Sequence, residues 1–207
     1  EYKFPASVAK KVNFCGYVRK EPGLKRRSVL REELQIKPDE ELVLVTPGGG
    51  QDGDRLIENY LAGLEHLPKT HQLRSIIVCG PEMPASQKQG FYQTAEKYPH
   101  VQIGEFTDDL MSYMEAADIV VSMGGYNTVT EVLSLGKKSL IVPRVKPAKE
   151  QLIRAERLSQ LGLVKMVDPD DMTPQRLIET VLEQLKASNS HLPAVSGLDL
   201  DALPRIS

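Results

Sequence analysis

Two glycine-rich stretches, each following a short apolar run, are the residues best suited to chemistry. The first contains Gly48, Gly49 and Gly50, and the second contains Gly124 and Gly125. Glycine lets the backbone turn sharply and approach a ligand closely, because it has no Cβ. In the second stretch Tyr126, Asn127 and Thr128 follow the glycines and lead into a predicted helix, in which Val129, Val132 and Leu133 recur at helical spacing. The first N–H groups of a helix lack partners and attract anions, so this stretch predicts a site for phosphate.

The first stretch matches two phosphate-binding fingerprints only in part. Gly48, Gly50 and Gly53 fit the dinucleotide pattern G-x-G-x-x-G between a strand and a helix. That pattern also requires an acidic residue at the end of the second strand, which here ends in Val78-Cys79-Gly80-Pro81. An NTPase loop requires lysine and Ser/Thr where Asp54-Arg55 stands. NAD and NTPase sites are therefore disfavoured, and a phosphate-facing turn and a plain tight turn both stay open.

Glu131 has two competing explanations. In Thr128-Val-Thr-Glu131 the first and last side chains can form a capping box that satisfies the start of the helix. If the helix instead begins nearer Tyr126, Glu131 lies inside it, where a carboxylate could accept hydrogen bonds from both hydroxyls of a ribose. A similar choice concerns Lys149-Glu150-Gln151, which opens the next predicted helix. It is either a solvated start with an acid near the helix dipole or part of the same site.

Several other functions find no support in the residues. The four histidines have no partner at ligand spacing, so no metal site is expected; they are His66, His71, His100 and His191. There is no Gly-x-Ser-x-Gly elbow, and neither cysteine has a histidine nearby in the sequence, so nucleophilic hydrolysis is not expected. A net charge of −2 without a long Lys/Arg run argues against nucleic acid as a partner.

Strands that alternate with helices must position these residues. Strands are predicted at Glu41 to Thr46, Leu73 to Cys79, Val101 to Ile103, Ile119 to Val121, Ser139 to Val142 and Val164 to Val167. Besides the helix after Gly125, helices are predicted between and after the strands at Ile57 to Leu64, Ser86 to Tyr98, which is polar, Asp108 to Ala117, Lys149 to Leu161 and Pro174 to Lys186. This alternation predicts an α/β fold with a doubly wound, Rossmann-like parallel sheet.

The domain organisation follows from where this alternation begins and ends. Of the 207 residues, 41–187 are expected to form one domain, with 1–40 as a linker segment and 188–207 as a tail without a core of its own. Within the linker, Val12 to Val18 is a strand-like run. Cys15 and Cys79 are expected to be reduced, buried thiols inside strands, which favours a cytoplasmic protein. The chain begins with Glu1 and not with methionine, so the expectation that it is a piece of a longer protein stays open.

Four motifs occur in a characteristic order and spacing. They are Thr46-Pro-Gly-Gly-Gly-Gln51, Glu105-Phe-Thr-Asp-Asp-Leu-Met111, the run from Ala117 to Glu131, and Glu150-Gln151. Through them, Leu42 to Lys186 resembles the C-terminal half of a GT-B glycosyltransferase. The likeness is greatest to the donor-binding domain of the peptidoglycan N-acetylglucosaminyltransferase family and to a group of bacterial proteins described only as predicted glycosyltransferases.

The resemblance implies a role for each candidate residue. The turns at Gly48 to Gly50 and at Gly124 to Thr128 would face a diphosphate, and the backbone at Phe106 would hold the uracil edge. Glu131 would take the ribose hydroxyls, while Glu150 and Gln151 would hold the sugar. Two features depart from the family pattern: Asp52 and Asp54 add negative charge beside the first turn, and Pro47 has no counterpart in the peptidoglycan enzyme.

The implied function is transfer of a sugar from a nucleotide diphosphate sugar, expected to be a UDP-sugar, without metal or cofactor. The acceptor and the catalytic base would belong to a missing N-terminal acceptor domain, so this chain alone would bind nucleotide and transfer nothing. The full-length protein is expected to associate peripherally with a membrane. Two alternatives stay open: an epimerase or hydrolase of the same fold, and a nucleotide-binding module without catalysis.

Overall fold

A six-stranded parallel sheet forms the centre of the molecule. A computed structural model describes residues 5–13, 15–68, 70–187 and 198–205. The strands are β1 (Glu41–Thr46), β2 (Leu73–Val78), β3 (Val101–Gly104), β4 (Ile119–Ser122), β5 (Ser139–Ile141) and β6 (Lys165–Met166). The helices are α1 (Ala6–Ala9), α2 (Arg27–Glu33), α3 (Asp54–Gly63), α4 (Ala85–Ala95), α5 (Leu110–Ala116), α6 (Tyr126–Leu135), α7 (Glu150–Gln160) and α8 (Pro174–Lys186).

The order of the strands places a switch point at the middle of the sheet. The order is β3-β2-β1-β4-β5-β6, so the chain builds outward from β1 to one edge and then returns to add β4 on the other side of β1. Every pairing is parallel. The predicted doubly wound α/β fold is therefore confirmed. In such sheets ligands bind in the crevice outside the carboxyl ends of the strands where the order reverses, which here is between β1 and β4.

Both faces of the sheet are buried, as the near-continuous apolar strands predict. Along β1, Val43 and Val45 face a core formed with α3, α4 and α8. Leu42 and Leu44 point to the opposite face, into a core shared with α2, α5 and α6. Burying each such side chain stabilises the fold by roughly 1.5–3 kcal/mol. The strands that hold the glycine-rich turns are thus fixed from both sides.

The segment before β1 packs against the domain, although not as the sequence predicted. In the described part of Val12 to Val18 there is no strand; Val18 makes only an isolated antiparallel bridge with Asp201. The strand prediction there is wrong, because this run lies away from the sheet, where it contacts the last described segment of the chain and the start of α6. Cys15 is correspondingly part-exposed rather than buried within a strand.

Residues at both ends of the chain also contribute to the cores. In the segment predicted as a linker, Leu30 and Ile36 are buried in the core beside α5. In the segment predicted as a tail, Leu200 and Ala202 are buried, and Leu200 packs against residues of α6 and α7. The other parts of that tail, 188–197 and 206–207, lie outside the described residues.

Candidate functional site

The two glycine-rich turns meet at the carboxyl edge of the sheet. Thr46 at the end of β1 pairs with Ser122 at the end of β4, and Ser122 pairs with Ile141 at the end of β5. The loops that follow these three strands are therefore neighbours. They contain the two turns and the start of α7, so the fold brings together the candidates predicted around a diphosphate and a sugar.

The start of α6 is open. The helix begins at Tyr126, its N-cap is Gly125 with an extended backbone, and no side chain caps it. The first intrahelical bond runs from Val129 N to Gly125 O, so the amides of Tyr126, Asn127 and Thr128 precede the helical ladder. The capping box is therefore not formed, and of the two explanations of Glu131 the structure favours the one that places it inside the helix. Uncapped amides at the positive end of a helix dipole attract anions.

Gly124 and Gly125 serve different purposes. A Cβ added to Gly124 would lie 3.1 Å from the carbonyl oxygen of Gln151, so this glycine allows α7 to pack against the turn. A Cβ added to Gly125 would have no heavy atom within 4 Å. The space in front of Gly125 is thus open to a ligand, and it adjoins the uncapped amides.

The first turn has a structural reason for its glycines. Gly50 has a φ of +98°, and a Cβ there would lie 2.4 Å from the carbonyl oxygen of Cys79. Gly80, whose φ is +92°, would likewise bring a Cβ to 2.3 Å from the carbonyl oxygen of Gly48. The loops after β1 and β2 therefore pack backbone against backbone. Gly48 lies nearest the other turn, since its Cβ would be 3.2 Å from Thr128 Oγ1.

Charged side chains surround this turn. Arg144 Nη1 lies 2.6 Å from an oxygen of Asp52, and both residues line a cavity of about 290 Å³. Asp54 accepts a hydrogen bond from Gln87 Nε2 at 3.3 Å. The carboxyl group of Glu82 lies 3.5 Å from the position of a Cβ on Gly49. Arg144 and Glu82 were not among the residues predicted from the sequence, because only the fold brings their loops to the glycines.

Glu131 lies on the face of α6 that carries Asn127 and Thr128, which precede it by four and three residues. Helical side chains lean toward the helix N-terminus, so its carboxylate extends toward the uncapped amides. Burial raises the pKa of Glu131 above its ordinary value of 4.5, and Lys20 opposes this shift. Within the described residues the carboxylate makes no hydrogen bond. Glu131 is thus a half-buried acceptor that a ligand hydroxyl could satisfy.

The first turn of α7 is tied to the glycine turn. Gln151 Oε1 accepts a hydrogen bond from Arg144 N at 3.1 Å. Glu150 forms an ion pair with Arg154, and Arg154 Nη1 donates a hydrogen bond to Gly124 O at 2.7 Å. Arg154 was not among the residues predicted from the sequence. Its spacing of four residues from Glu150, which is typical of ion pairs on one helix face, was the available signal.

Tyr126 lies between two further side chains. Its ring stacks on Tyr17 with ring centroids 5.7 Å apart and an interplanar angle of 13°. The guanidinium carbon of Arg154 lies 5.7 Å from the Tyr126 ring centroid. Val18 N donates to the Tyr126 hydroxyl at 3.4 Å. The segment that precedes β1 therefore reaches the start of α6, and nothing in the sequence around Tyr17 indicates this.

Phe106 stands apart from the other candidates. It lies in the loop after β3, and 64% of it is exposed. Gly80 N donates to Glu105 O at 3.0 Å, so this loop joins the carboxyl edge through the turn after β2. Phe106 thus borders the crevice at a position two strands away from β1.

The described residues offer neither a metal cluster nor a membrane-spanning helix. They contain no group of three or more His, Cys, Asp or Glu side chains that could hold a metal ion. Among their helices, none has the length and apolar character needed to cross a membrane.

Comparison with known proteins identifies the family. The glycosyltransferase family 28 C-terminal domain matches residues 42–197. An uncharacterized glycosyltransferase of Methanopyrus kandleri is 26% identical over 188 residues, covering 91% of this chain and 51% of the relative. A UDP-N-acetylglucosamine--N-acetylmuramyl-(pentapeptide) pyrophosphoryl-undecaprenol N-acetylglucosamine transferase of Shouchella clausii is 28% identical over 156 residues, covering 74% of this chain and 42% of the relative.

A solved structure shares the fold. MurG of Acinetobacter baumannii superposes with a TM-score of 0.68 at 22% identity, covering 88% of this chain and 52% of that chain. The chain spans about half the length of the curated relatives it matches. Its sheet is that of the C-terminal half of a GT-B glycosyltransferase, with the open start of α6 at the switch point. The chain belongs to the glycosyltransferase family 28 C-terminal domain family.

Proposed function

We propose that this chain is the donor-binding half of a glycosyltransferase that uses a UDP-sugar. The observation that carries the proposal is the uncapped start of α6, with open space in front of Gly125 and the unpartnered carboxylate of Glu131 on the next turn. A nucleoside diphosphate presents an anion, which the amides can bind, and two ribose hydroxyls, which the carboxylate can accept. The printed name of the Shouchella clausii relative includes UDP-N-acetylglucosamine, which supports uridine as the nucleoside.

Each candidate takes the role implied by the family resemblance. The diphosphate is bound by Gly48 to Gly50 and by the amides from Gly125 to Thr128. Glu131 accepts hydrogen bonds from the ribose, and the backbone at Phe106 contacts the uracil. Glu150 and Gln151 contact the sugar; the Gln151 amide nitrogen serves this purpose, because its oxygen already accepts from Arg144.

In the proposed reaction an acceptor hydroxyl attacks the anomeric carbon, the bond between that carbon and the phosphate oxygen breaks, and UDP leaves. Preorganised amides stabilise charge that develops in a transition state. The amides of α6 would act on the departing phosphate in this way, so the proposal needs no metal ion. The acceptor and the general base belong to an N-terminal domain outside this chain.

The full-length protein is proposed to work at the cytoplasmic face of a membrane, as a peripheral protein. This part of the proposal is supported by the Shouchella clausii relative, whose printed name includes a pyrophosphoryl-undecaprenol acceptor.

Isothermal titration of this chain with UDP and with UMP tests the proposal. UDP should bind more tightly, by about fivefold or more, because its second phosphate gains at least one hydrogen bond worth roughly 1 kcal/mol. Equal affinities would contradict the diphosphate assignment. For the full-length protein, release of free sugar or of an epimer from a UDP-sugar without any acceptor would favour a hydrolase or an epimerase over a transferase.

A further inference from the structure

Arg154 lies behind the glycine turn and contacts three parts of the candidate site. We propose that it is a positioning residue, which holds the Gly124–Gly125 peptide in the orientation that directs the Gly125 N–H toward the diphosphate. This inference rests on the proposed function, since it assumes that a diphosphate binds at the start of α6. It adds a residue that the family motifs quoted above do not contain.

The guanidinium of Arg154 is held in one place. Nη1 donates to Gly124 O at 2.7 Å, and Nη2 pairs with Glu150. The guanidinium carbon also lies 5.7 Å from the ring centroid of Tyr126, and only 11% of the arginine side chain is exposed. These three contacts come from the turn, from α7 and from α6. The orientation of the guanidinium is therefore fixed by the packing of two helices rather than by one flexible partner.

Fixing the Gly124 carbonyl also fixes the next amide. A trans peptide is planar, and its C=O and N–H point in opposite directions. Because the carbonyl of Gly124 points at Arg154, the N–H of Gly125 points away from α7. A Cβ added to Gly125 would meet no heavy atom within 4 Å, so this residue borders open space. The amide is thus available to a ligand, together with those of Tyr126 and Asn127.

Without this restraint the peptide between two glycines could rotate. Glycine populates both signs of φ with similar ease, so the flanking residues offer little resistance to a reversal of the peptide plane. A reversed peptide would present the carbonyl oxygen to the phosphate, which would repel it. The role of Arg154 is to remove this alternative before the ligand arrives, which lowers the ordering cost of binding.

The effect is expected to act through geometry and not through net charge. The ion pair with Glu150 offsets the positive charge of Arg154, so its long-range attraction for an anion is small. Lysine would keep the charge but has a single ammonium in place of the planar fork of donors. It cannot donate to Gly124 and to Glu150 in the same arrangement. Replacement by lysine therefore separates geometry from charge.

The test uses Arg154→Lys and Arg154→Met, with Arg157→Met as a control on the exposed side of the same helix. Affinities for UDP and for uridine are measured for each variant and for the parent, together with the melting temperature without ligand. Both Arg154 variants should weaken UDP binding by about tenfold, the loss of one hydrogen bond to a charged group. Uridine, which lacks phosphate, should bind within about twofold of the parent, and Arg157→Met should change neither affinity.

Several results would overturn the inference. If Arg154→Lys binds UDP like the parent, positive charge alone is sufficient; if both ligands weaken equally, the site as a whole has been lost. Should Arg154→Met fail to fold, the nearly isosteric lysine variant decides. A parent protein that does not bind UDP would overturn the proposed function and this inference with it. A parent that binds UDP, with Arg154 variants that bind it equally well, would overturn the inference alone.

Discussion

Among single residues, Glu131 is the one whose environment in the free protein most directly favours binding of the proposed ligand. Its carboxylate is half-buried beside the uncapped amides of α6, and the burial raises its pKa. A carboxylate without a hydrogen-bond donor is costly to keep charged in such a place. Two ribose hydroxyls would supply the missing donors, so the strain on this group in the free protein favours ligand binding.

Replacement of Glu131 by glutamine should weaken UDP binding without affecting the fold. Hydrogen bonds to a charged group contribute roughly 1.5 to 3 kcal/mol each, so affinity should fall by about tenfold or more. The unliganded melting temperature should stay near that of the parent, because Glu131 makes no hydrogen bond within the described residues that the substitution could remove. As a control, the parent should bind 2′-deoxy-UDP more weakly than UDP. Equal binding of these two nucleotides would exclude a ribose contact at Glu131.

The affinity for a UDP-sugar should decrease as the pH is lowered toward the raised pKa of Glu131, since the protonated acid accepts fewer hydrogen bonds. A UDP-sugar is preferable to UDP here, because a terminal phosphate itself titrates near pH 6. The stability of the free protein has the opposite trend: a carboxyl with a raised pKa contributes stability at low pH, and this is lost as pH rises through the folded-state value. Titrations at several pH values should show the decrease in the parent, and a flat profile in Glu131→Gln.

At the scale of elements, the turn between β4 and α6 divides into a packing residue and a binding residue. Gly124 is in contact with α7, whereas Gly125 borders open space and has a φ of −60°, which any residue can adopt. Two adjacent glycines are thus required for different reasons. Substitution of each should separate stability from ligand affinity.

Gly125→Val should leave the melting temperature nearly unchanged and should weaken UDP binding severely, because a branched side chain would fill the space in front of the amides. Gly124→Val is the matched comparison. Its Cβ would lie 3.1 Å from Gln151 O, so α7 must shift and the melting temperature should fall by several degrees. Thermal unfolding and calorimetry on both variants make the comparison. If Gly125→Val kept the parent affinity, the turn would no longer be a candidate for the diphosphate site.

At the scale of the whole molecule, the carboxyl and amino edges of the sheet carry different groups of residues. The carboxyl edge carries the candidate site, while the amino edge carries a charged cluster around Asp118, which pairs with Arg27 and Arg31. Lys137 lies at this amino edge and donates hydrogen bonds at 2.7 Å to the carbonyls of Glu115 and Ala117. Burial lowers the pKa of Lys137 from 10.5 to about 8.

This lowered pKa of Lys137 predicts that the protein becomes more stable as the pH rises above about 8. Between pH 8 and 10.5 the unfolded chain holds a proton on Lys137 that the folded chain has released, so the free energy of unfolding contributed by this group rises with pH. Urea unfolding of the parent and of Lys137→Met at several pH values measures the difference. The advantage of the parent over the variant should grow across this window, and parallel curves would show that Lys137 titrates normally. UDP affinity should be the same in both proteins at every pH.

The sequence was sufficient to predict the sheet, because each strand is an apolar run bounded by turn residues and helical segments alternate with these runs. It also located the edge at which the candidates meet, since parallel strands end at one side. It could not predict Tyr17, Glu82 or Arg144. These residues reach the site from other loops through tertiary contacts. No local sequence pattern around them indicates which residues they contact.

The backbone contact between Gly50 and Gly80 makes the two positions mutually dependent. A side chain at either one would force the loops after β1 and β2 apart, since no flexible side chain lies between them to yield. Once one substitution has separated the loops, the second meets a gap that already exists. Substituting both glycines should therefore cost less stability than the two single changes added together. In evolutionary terms the two glycine positions are epistatic: a change at one glycine would relax the constraint on the other.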